Sequence, residues 1–211
     1  MKALIGCEFS GRVRDAFRAR DHEAWSCDLL PSEGERDYHL QEDIRRVLQH
    51  PRARSLDLMI AHPECRYLAL SGVRWLYRGG RKENGKDPER WARMREAAEF
   101  FVELLRADIP RLCLENSEMH PYALEIIGRG PDQEIQPWMF GCPRTKAAWL
   151  WLKNLPPLEP TMIVPKELRR ADCHREPPGP NRWKNRSRTE PEVAAVMADQ
   201  WGSLGGMQVA A

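Results

Sequence analysis

A cysteine that follows a short apolar run is the first residue of this sequence to suggest chemistry. The four residues at positions 58–61, Leu-Met-Ile-Ala, run directly into His62 and Pro63. This pattern predicts a buried strand that ends abruptly and delivers Cys65 to a loop, with His62 in a structural role. Because open α/β sheets usually bind ligands beyond the carboxyl ends of their strands, Cys65 is a candidate nucleophile. The alternative is an inert, small apolar side chain.

A carboxylate and an amide end another predicted strand. The segment RLCLEN, residues 111–116, finishes with Glu115 and Asn116. If both strands belong to one sheet, these side chains collect at the same edge as Cys65. A carboxyl group beside a thiol can hold a substrate or transfer a proton, whereas the alternative for Glu115 is a helix cap or a surface carboxylate.

The N-terminal segment has the sequence pattern of a βαβ unit. Apolar residues 3–5 lead into the turn GCEFSG, which contains Gly6 and Gly11, and after a helical pattern a second strand ends at Asp28. A glycine turn lets a ligand approach backbone N–H groups, and an acidic residue at the end of the second strand can accept both ribose hydroxyls. This indicates a nucleoside-containing cofactor. The glycine spacing is not G-x-G-x-x-G, so ordinary turn glycines are the alternative.

Other elements would position these candidates. A short helix is predicted to begin at Ile44, after Asp43, and a long amphipathic helix within residues 89–110 should cover the sheet. Between them, residues 66–88 are polar, contain glycine and are long for a connection, which is typical of a lid or a disordered segment. A final helix is expected within residues 190–202.

Length and composition favour a single α/β domain. The chain has 211 residues, 42% of them hydrophobic, and a net charge of +2, which neither requires nor excludes a nucleic acid. The six cysteines are scattered without a C-x-x-C pair, which argues against a disulfide scaffold and a zinc site. With no secretory leader and no apolar stretch of membrane length, we expect a cytosolic protein without a membrane or metal partner.

Changes of composition divide the chain into three expected segments. Residues 1–117 would form the cofactor-binding and catalytic core, residues 118–182 a small irregular region, and residues 183–211 a return to the core with an Arg-x-Arg and the final helix. Residues 166–188 hold eight basic and three acidic residues. Such a stripe can lie along a phosphate backbone, so the irregular region is a candidate for contacting nucleic acid.

Taken in order, these pieces resemble the DNA cytosine carbon-5 methyltransferases, and in particular the short forms carried by phages and prophages. The shared pieces are the glycine turn, the acidic end of the second strand, Asp-Ile, a Pro-x-Cys loop, Glu-Asn at a strand end and a late Arg-x-Arg. The resemblance covers residues 3–202. It implies a Rossmann-like S-adenosylmethionine-dependent methyltransferase fold with a small irregular C-terminal part, and DNA as the partner.

The resemblance also implies a role for each candidate residue. It places the cofactor against Glu8, Phe9, Gly11, Asp28, Asp43 and Ile44, with Asp28 on the ribose and Asp43 and Ile44 on the adenine. Cys65 would be the nucleophile and Glu115 would hold the cytosine ring. The catalytic set further includes Arg186 and Arg188, either of which would contact the cytosine carbonyl. The residue-level alternatives are a helix cap for Asp43 and a solvated charge run for the arginines.

The implied chemistry explains these residue types. Carbon 5 of cytosine is a poor nucleophile, so a thiolate first adds to carbon 6 and creates an enamine that accepts the methyl group. A hydrogen bond to ring nitrogen 3 accelerates this addition, and a carboxyl group beside the exocyclic amine selects cytosine over thymine. Because the site cannot reach a base inside a duplex, the target must be flipped out or unpaired.

Departures from the family pattern keep other functions open. Glu64 and Arg66 flank Cys65, and Ser117 follows Asn116, so Glu64, Arg66 and Asn116 are candidates for substrate or cofactor selectivity. A charge at Glu64 would raise the pKa of the thiol and one at Arg66 would lower it. Arg66 could instead pair with the carboxylate of carboxy-S-adenosylmethionine, which would turn methylation into carboxymethylation.

Three further alternatives remain. No target-recognition region separates the Arg-x-Arg from the last helix, which suggests relaxed specificity, dependence on a partner, or free dCMP as the substrate. A non-catalytic nucleic-acid-binding remnant of the fold is a second possibility. A metal-dependent hydrolase using Asp28, Asp43, Asp57 and Glu115 lacks supporting local spacing.

Overall fold

The computed structural model describes residues 1–206, apart from the side chain of His174. Its strands are β1 (Lys2–Gly6), β2 (Glu23–Asp28), β3 (His39–Gln41), β4 (Leu58–Ala61), β5 (Arg111–Asn116), β6 (Gln133–Ile135) and β7 (Ala148–Lys153). Its α-helices are α1 (Arg12–Arg18), α2 (Ile44–Gln49), α3 (Pro88–Leu105), α4 (Pro121–Ile127), α5 (Asp172–Arg175), α6 (Arg182–Ser187) and α7 (Pro191–Gln200). Within the described residues, no helix is long and apolar enough to span a bilayer.

The seven strands form one sheet in the order β3-β2-β1-β4-β5-β7-β6. Neighbours from β3 to β5 are parallel, and β7 is antiparallel to both β5 and β6. This arrangement confirms the predicted α/β class, and its order with a reversed β7 agrees with the Rossmann-like methyltransferase fold.

The centre of the sheet contains the topological switch point. From β1 the chain continues to β2 and β3 on one side, and it then crosses to β4 on the other side of β1. In open α/β sheets, ligands bind in the crevice outside the carboxyl ends of the strands at this point. The loops that follow β1 and β4, with Glu8 and Cys65, both begin at this edge.

Helices cover both faces of the sheet. Alternate residues of β4 point to opposite sides: Ile60 packs in the cluster of α1 and α7, and Met59 in the cluster of α2, α3 and α4. Phe17 and Trp201 lie in the first cluster, and Phe101 lies in the second. Strands that are buried on both faces explain why LMIA and the central LCL of RLCLEN are continuous apolar runs.

Two strands come from the region that was expected to be irregular with short strands. Strands β6 and β7 complete the sheet, and β7 pairs with β5 so that Glu115 lies opposite Leu150 and Asn116 opposite Trp149. Irregular chain predominates after Lys153, and the sequence did not predict that the two strands before it join the central sheet. Strand β3 was also not predicted, since it has only three residues and lies at the sheet edge.

The segment after Cys65 is folded rather than disordered. It contains three short 3-10 helices, Leu70–Leu76, Arg78–Gly80 and Lys82–Asn84. Leu76 is buried with Trp91 and Met94 of α3, and the hydroxyls of Tyr77 and Tyr122 are 2.9 Å apart. This small aromatic cluster gives the long connection its own core and holds it against α3 and α4.

Candidate active site

The turn between β1 and α1 is fixed by a buried carboxylate. Glu8 is 4% exposed and accepts hydrogen bonds from the N–H groups of Val13, at 2.7 Å, and Arg14, at 3.4 Å. Burial raises the pKa of Glu8, and the charge of His62 and the two N–H donors oppose that rise. The carboxylate therefore holds the start of α1, which is a structural use of a residue that we expected to bind the cofactor.

Backbone geometry shapes the same turn. Cys7 has φ 54° and Gly11 has φ 73°, both in the left-handed region, which is costly for a residue with a side chain. A Cβ atom on Gly11 would lie 2.4 Å from Nη2 of Arg14. Gly11 is thus required both by its conformation and by the close approach of Arg14.

A cleft opens between this turn and the C-terminal part of the chain. It is lined by residues 7–10, His62 and residues 187–189. Phe9 is buried at one wall, with its ring centroid 5.9 Å from that of Trp183. The cleft lies at the switch point of the sheet, where a ligand is expected.

The residues expected to hold the ribose and the adenine, at the end of β2 and after β3, have different surroundings. The half-buried carboxylate of Asp28 accepts a hydrogen bond from the N–H of Leu30 at 2.9 Å, and burial raises its pKa while this donor opposes the rise. Asp43 caps α2 by accepting from the N–H of Arg45 at 2.9 Å, which is the alternative role considered for it. Ile44 is 4% exposed, and its side chain packs so closely against Gly6 that a Cβ atom on Gly6 would nearly overlap it. The side chain of Ile44 therefore supports the turn and does not present an open surface for adenine.

Glu115 lies near the end of β5, and Cys65 lies in the loop that follows the neighbouring strand β4. Asn116, 2% exposed, donates a hydrogen bond from Nδ2 to the carbonyl of Pro63 at 2.8 Å and so ties the loop of Cys65 to the end of β5. This contact makes Asn116 a positioning residue for the loop, whereas the sequence suggested a selectivity role. Glu64, Cys65 and Arg66 are all exposed.

The surroundings of Cys65 act on its thiol in opposite directions. Although the residue is exposed, desolvation by neighbouring protein atoms raises the pKa of the thiol, and the Glu115 carboxylate raises it further. The Ser117 hydroxyl and the Lys146 ammonium lower it. Arg66 lies with its guanidinium 5.4 Å from the ring centroid of Tyr67 and is not buried beside the sulfur.

Glu115 is held as a carboxylate. Its Oε2 atom is 2.9 Å from Nδ1 of His62, and both side chains are mostly buried. Burial alone would raise the pKa of Glu115, but the hydrogen bond and charge of His62, together with the charge of Lys146, hold it below its usual value. His62 was expected to be structural, yet it joins Glu115 to the cleft.

Lys146 is the second functional candidate that the sequence did not reveal. Its charge acts on both Cys65 and Glu115, and its Nζ donates a hydrogen bond to the carbonyl of Arg188 at 2.8 Å. It precedes β7, whose pairing with β5 brings it to the edge of the sheet where β5 ends. Since β7 was not recognised as part of the sheet, no local signal marked this lysine.

The two predicted arginines differ in their partners. Arg188 forms a forked ion pair with Glu33, at 2.7 and 2.8 Å, and this pair spans the β2–β3 connection and the C-terminal part. Arg186 is half-buried, and its Nε atom is buried without a hydrogen-bond partner among the described residues. Arg186 is not among the residues that line the cleft, and the guanidinium of Arg188 is engaged with Glu33.

Comparisons with known proteins give only distant neighbours. No family model and no curated protein matches the chain. One similar solved structure is described as a DNA modification methyltransferase encoded within an E. coli prophage, with a TM-score of 0.44 and 15% identity over 78% of this chain and 52% of that one. Another is the methyltransferase EhMeth of Entamoeba histolytica, with a TM-score of 0.43 and 12% identity over 78% of this chain and 57% of that one.

The chain therefore spans about half the length of these two structures. At this level of similarity they carry no argument about substrate or mechanism, and the fold class rests on the strand order of the chain itself. Within residues 1–206 we also find no group of three or more His, Cys, Asp and Glu side chains placed to hold a metal ion.

Proposed function

We propose that the protein is an S-adenosylmethionine-dependent enzyme that alkylates carbon 5 of cytosine in DNA through a covalent bond to Cys65. The observation that carries this proposal is the meeting of an exposed cysteine, a buried carboxylate and a lysine beside the cleft at the switch point of the sheet. Each of the three has a separate task in the reaction, and each comes from a different loop or strand end.

The residues present are compatible with a nucleoside cofactor. Asp28 ends β2 with a half-buried carboxylate that can accept ribose hydroxyls, and the β1–α1 turn supplies Phe9 as an apolar wall. The orphaned Nε2 atom of His62 marks a polar group in the cleft region that no described residue satisfies. When bound, S-adenosylmethionine supplies an electrophilic methyl group on a sulfonium.

The chain's own residues would perform the remaining steps. The Cys65 thiolate adds to carbon 6 of cytosine while Glu115 holds the ring nitrogen and the exocyclic amine. Lys146 stabilises the anionic forms of both side chains through its charge. After carbon 5 has been alkylated, its hydrogen leaves as a proton and Cys65 leaves as a thiolate, which restores the aromatic ring.

The surface next to Cys65 favours a polymer over a free nucleotide. Residues 66–86 contain six basic residues and one acidic residue, and all of these charged side chains are exposed. Trp75 is 45% exposed, and Arg74 lies over its ring at 4.5 Å. Exposed cations interleaved with an aromatic side chain fit a sugar-phosphate strand and an unstacked base.

Analysis of the reaction product tests the proposal. DNA, single- and double-stranded, and free dCMP are incubated with S-adenosylmethionine or carboxy-S-adenosylmethionine, and the nucleosides are identified by mass spectrometry. We expect 5-methylcytosine in DNA from the first donor. A product heavier by a carboxymethyl group, and only with the second donor, would assign carboxymethyl transfer instead. No modified cytosine, together with no cofactor binding by calorimetry, would contradict the proposal and favour a non-catalytic remnant.

Asp28→Ala is expected to weaken S-adenosylmethionine binding by roughly 1–3 kcal/mol, because the ribose hydroxyls lose a buried acceptor. DNA binding should be unchanged, because Asp28 is on the cofactor side of the cleft. Calorimetry with each ligand measures both effects. Asp37→Ala, an exposed position in the same β2–β3 connection, is the matched control. Unchanged cofactor affinity in Asp28→Ala would remove this residue from the ribose site.

A further inference from the structure

His62 is a buried histidine with one ring nitrogen bonded and the other free. Its side chain is 9% exposed, and Nδ1 is 2.9 Å from Oε2 of Glu115. Nε2 is buried and has no hydrogen-bond partner among residues 1–206, while the residue lines the cleft. The ring therefore reaches from the proposed catalytic carboxylate to the cofactor cleft, and Nε2 must be satisfied from the cleft.

Acidic groups approach His62 from three elements. Glu115 belongs to β5, Glu8 to the β1–α1 turn, and Asp28 to the end of β2. The positive form of His62 opposes the rise that burial causes in the pKa of Glu8 and of Asp28, and it contributes to the lowered pKa of Glu115. Lys146 adds a second positive charge beside Glu115. His62 thus acts on carboxyl groups of three elements and is bonded directly to that of Glu115.

This arrangement bears on a difficulty in the proposed reaction. Addition of a thiolate to carbon 6 places negative charge on the ring, so a proton at ring nitrogen 3 assists the step. Glu115 is held as a carboxylate by His62 and Lys146, and a carboxylate has no proton to donate. A proton for nitrogen 3 must therefore be stored on a neighbouring group that Glu115 contacts, and His62 is bonded directly to it.

We propose that His62 is the positioning residue that stores this proton and passes it to cytosine through Glu115. The inference rests on the proposed function. As Cys65 adds, the Nδ1 proton of the imidazolium moves to Glu115 and a proton moves from Glu115 to nitrogen 3. His62 is left neutral with its remaining proton on Nε2, Glu115 is again a carboxylate, and the adduct loses its negative charge. When the ring is restored, the proton returns by the same route.

The test separates proton storage from hydrogen bonding. His62→Asn keeps a side-chain N–H near the position of Nδ1 and can still bind Glu115, but it cannot give up a proton. Turnover on DNA is expected to fall about 10- to 100-fold, and the limb of the pH profile that requires the stored proton should disappear. Cofactor affinity should remain within a few-fold of the wild type.

His120→Asn is the matched control. His120 is also buried, but both of its ring nitrogens bond to backbone groups, Nδ1 to the N–H of Ala123 and Nε2 to the carbonyl of Tyr67. Since Asn is also a good helix cap, this variant should keep the wild-type pH profile. In His62→Ala, added imidazole should restore part of the lost turnover. A wild-type rate and pH profile in His62→Asn would overturn the inference.

A measurement without turnover distinguishes this inference from the proposed function. The ring nitrogens of His62 are followed by NMR across pH in the wild type and in Glu115→Gln. If the two groups share a proton, the Nδ1 signal of His62 changes when the carboxylate is removed, whether or not the protein alkylates DNA. An unchanged signal would overturn the proposed proton sharing, and a changed signal with no product on any DNA would count against the proposed function alone.

Discussion

Cys65→Ser is expected to reduce alkyl transfer to DNA by at least about 10³-fold, because a serine hydroxyl is a far weaker nucleophile than a thiolate in this position. Cofactor binding should be unaffected, because the substitution only exchanges a thiol for a hydroxyl of similar size on the exposed loop after β4. Transfer of labelled methyl groups to DNA measures the first effect, and calorimetry measures the second.

Cys173→Ser is the matched control for this substitution. Cys173 is half-buried on the short helix α5, whereas Cys65 is exposed on the loop that follows β4. The control should therefore retain wild-type transfer. Equal transfer in the wild type and Cys65→Ser would mean that the exposed thiol has no part in the reaction.

Glu115→Gln is expected to lower turnover by about 10²- to 10⁴-fold, which is the usual range for loss of a general acid or base. An amide can still make hydrogen bonds to the ring, but it cannot relay a proton. Substrate binding should change much less than turnover. A variant that keeps turnover within a few-fold of the wild type would contradict the role assigned to Glu115.

Although Glu115→Gln should lower turnover, it should also lower the pKa of the Cys65 thiol. Desolvation and then the Glu115 carboxylate raise the pKa of Cys65, so removal of the carboxylate should lower it. The rate of alkylation of Cys65 by iodoacetamide, which follows the thiolate, should then begin to rise at a lower pH in Glu115→Gln than in the wild type. A shift to higher pH would show that the sign of this coupling is wrong.

The sequence alone was sufficient for the parts of the site that follow buried parallel strands. LMIA and the central LCL of RLCLEN are continuous apolar runs because both faces of these strands are covered, and this made β4 and β5 recognisable. Parallel strands end at one edge, so the ends of β4 and β5 were correctly expected at the same edge of the sheet. Helix α3 was recognisable from the apolar stripe that it buries.

Side chains that reach the site only through contacts between distant parts of the chain could not be predicted. Lys146 reaches the site only because β7 pairs with β5 across more than thirty residues of intervening chain. His62 looked structural because nothing in LMIAHP shows that its ring faces a carboxylate of another strand. The partner of Arg188, Glu33, is 155 residues away in the chain and has no local signature.

The long connection after Cys65 was misjudged for a related reason. Its polarity and its glycines suggested a lid or disorder, but Tyr77, Trp91 and Tyr122 come from three separate segments and together hold it in place. Only their combination in space gives the connection enough buried surface to be ordered. Stability of this kind arises from tertiary contacts and leaves no periodic pattern in the sequence.

Trapping the covalent adduct is the most direct test of the central claim that Cys65 bonds to cytosine. Wild-type protein, Cys65→Ser and Cys173→Ser are incubated with S-adenosylmethionine and DNA that contains 5-fluorocytosine, whose fluorine cannot leave as a proton. The proposed mechanism predicts a denaturant-resistant protein–DNA complex with the wild type and with Cys173→Ser, with the modified peptide mapping to Cys65. A complex that persists with Cys65→Ser would contradict the mechanism. So would the absence of a complex with wild-type protein that methylates the same DNA without fluorine.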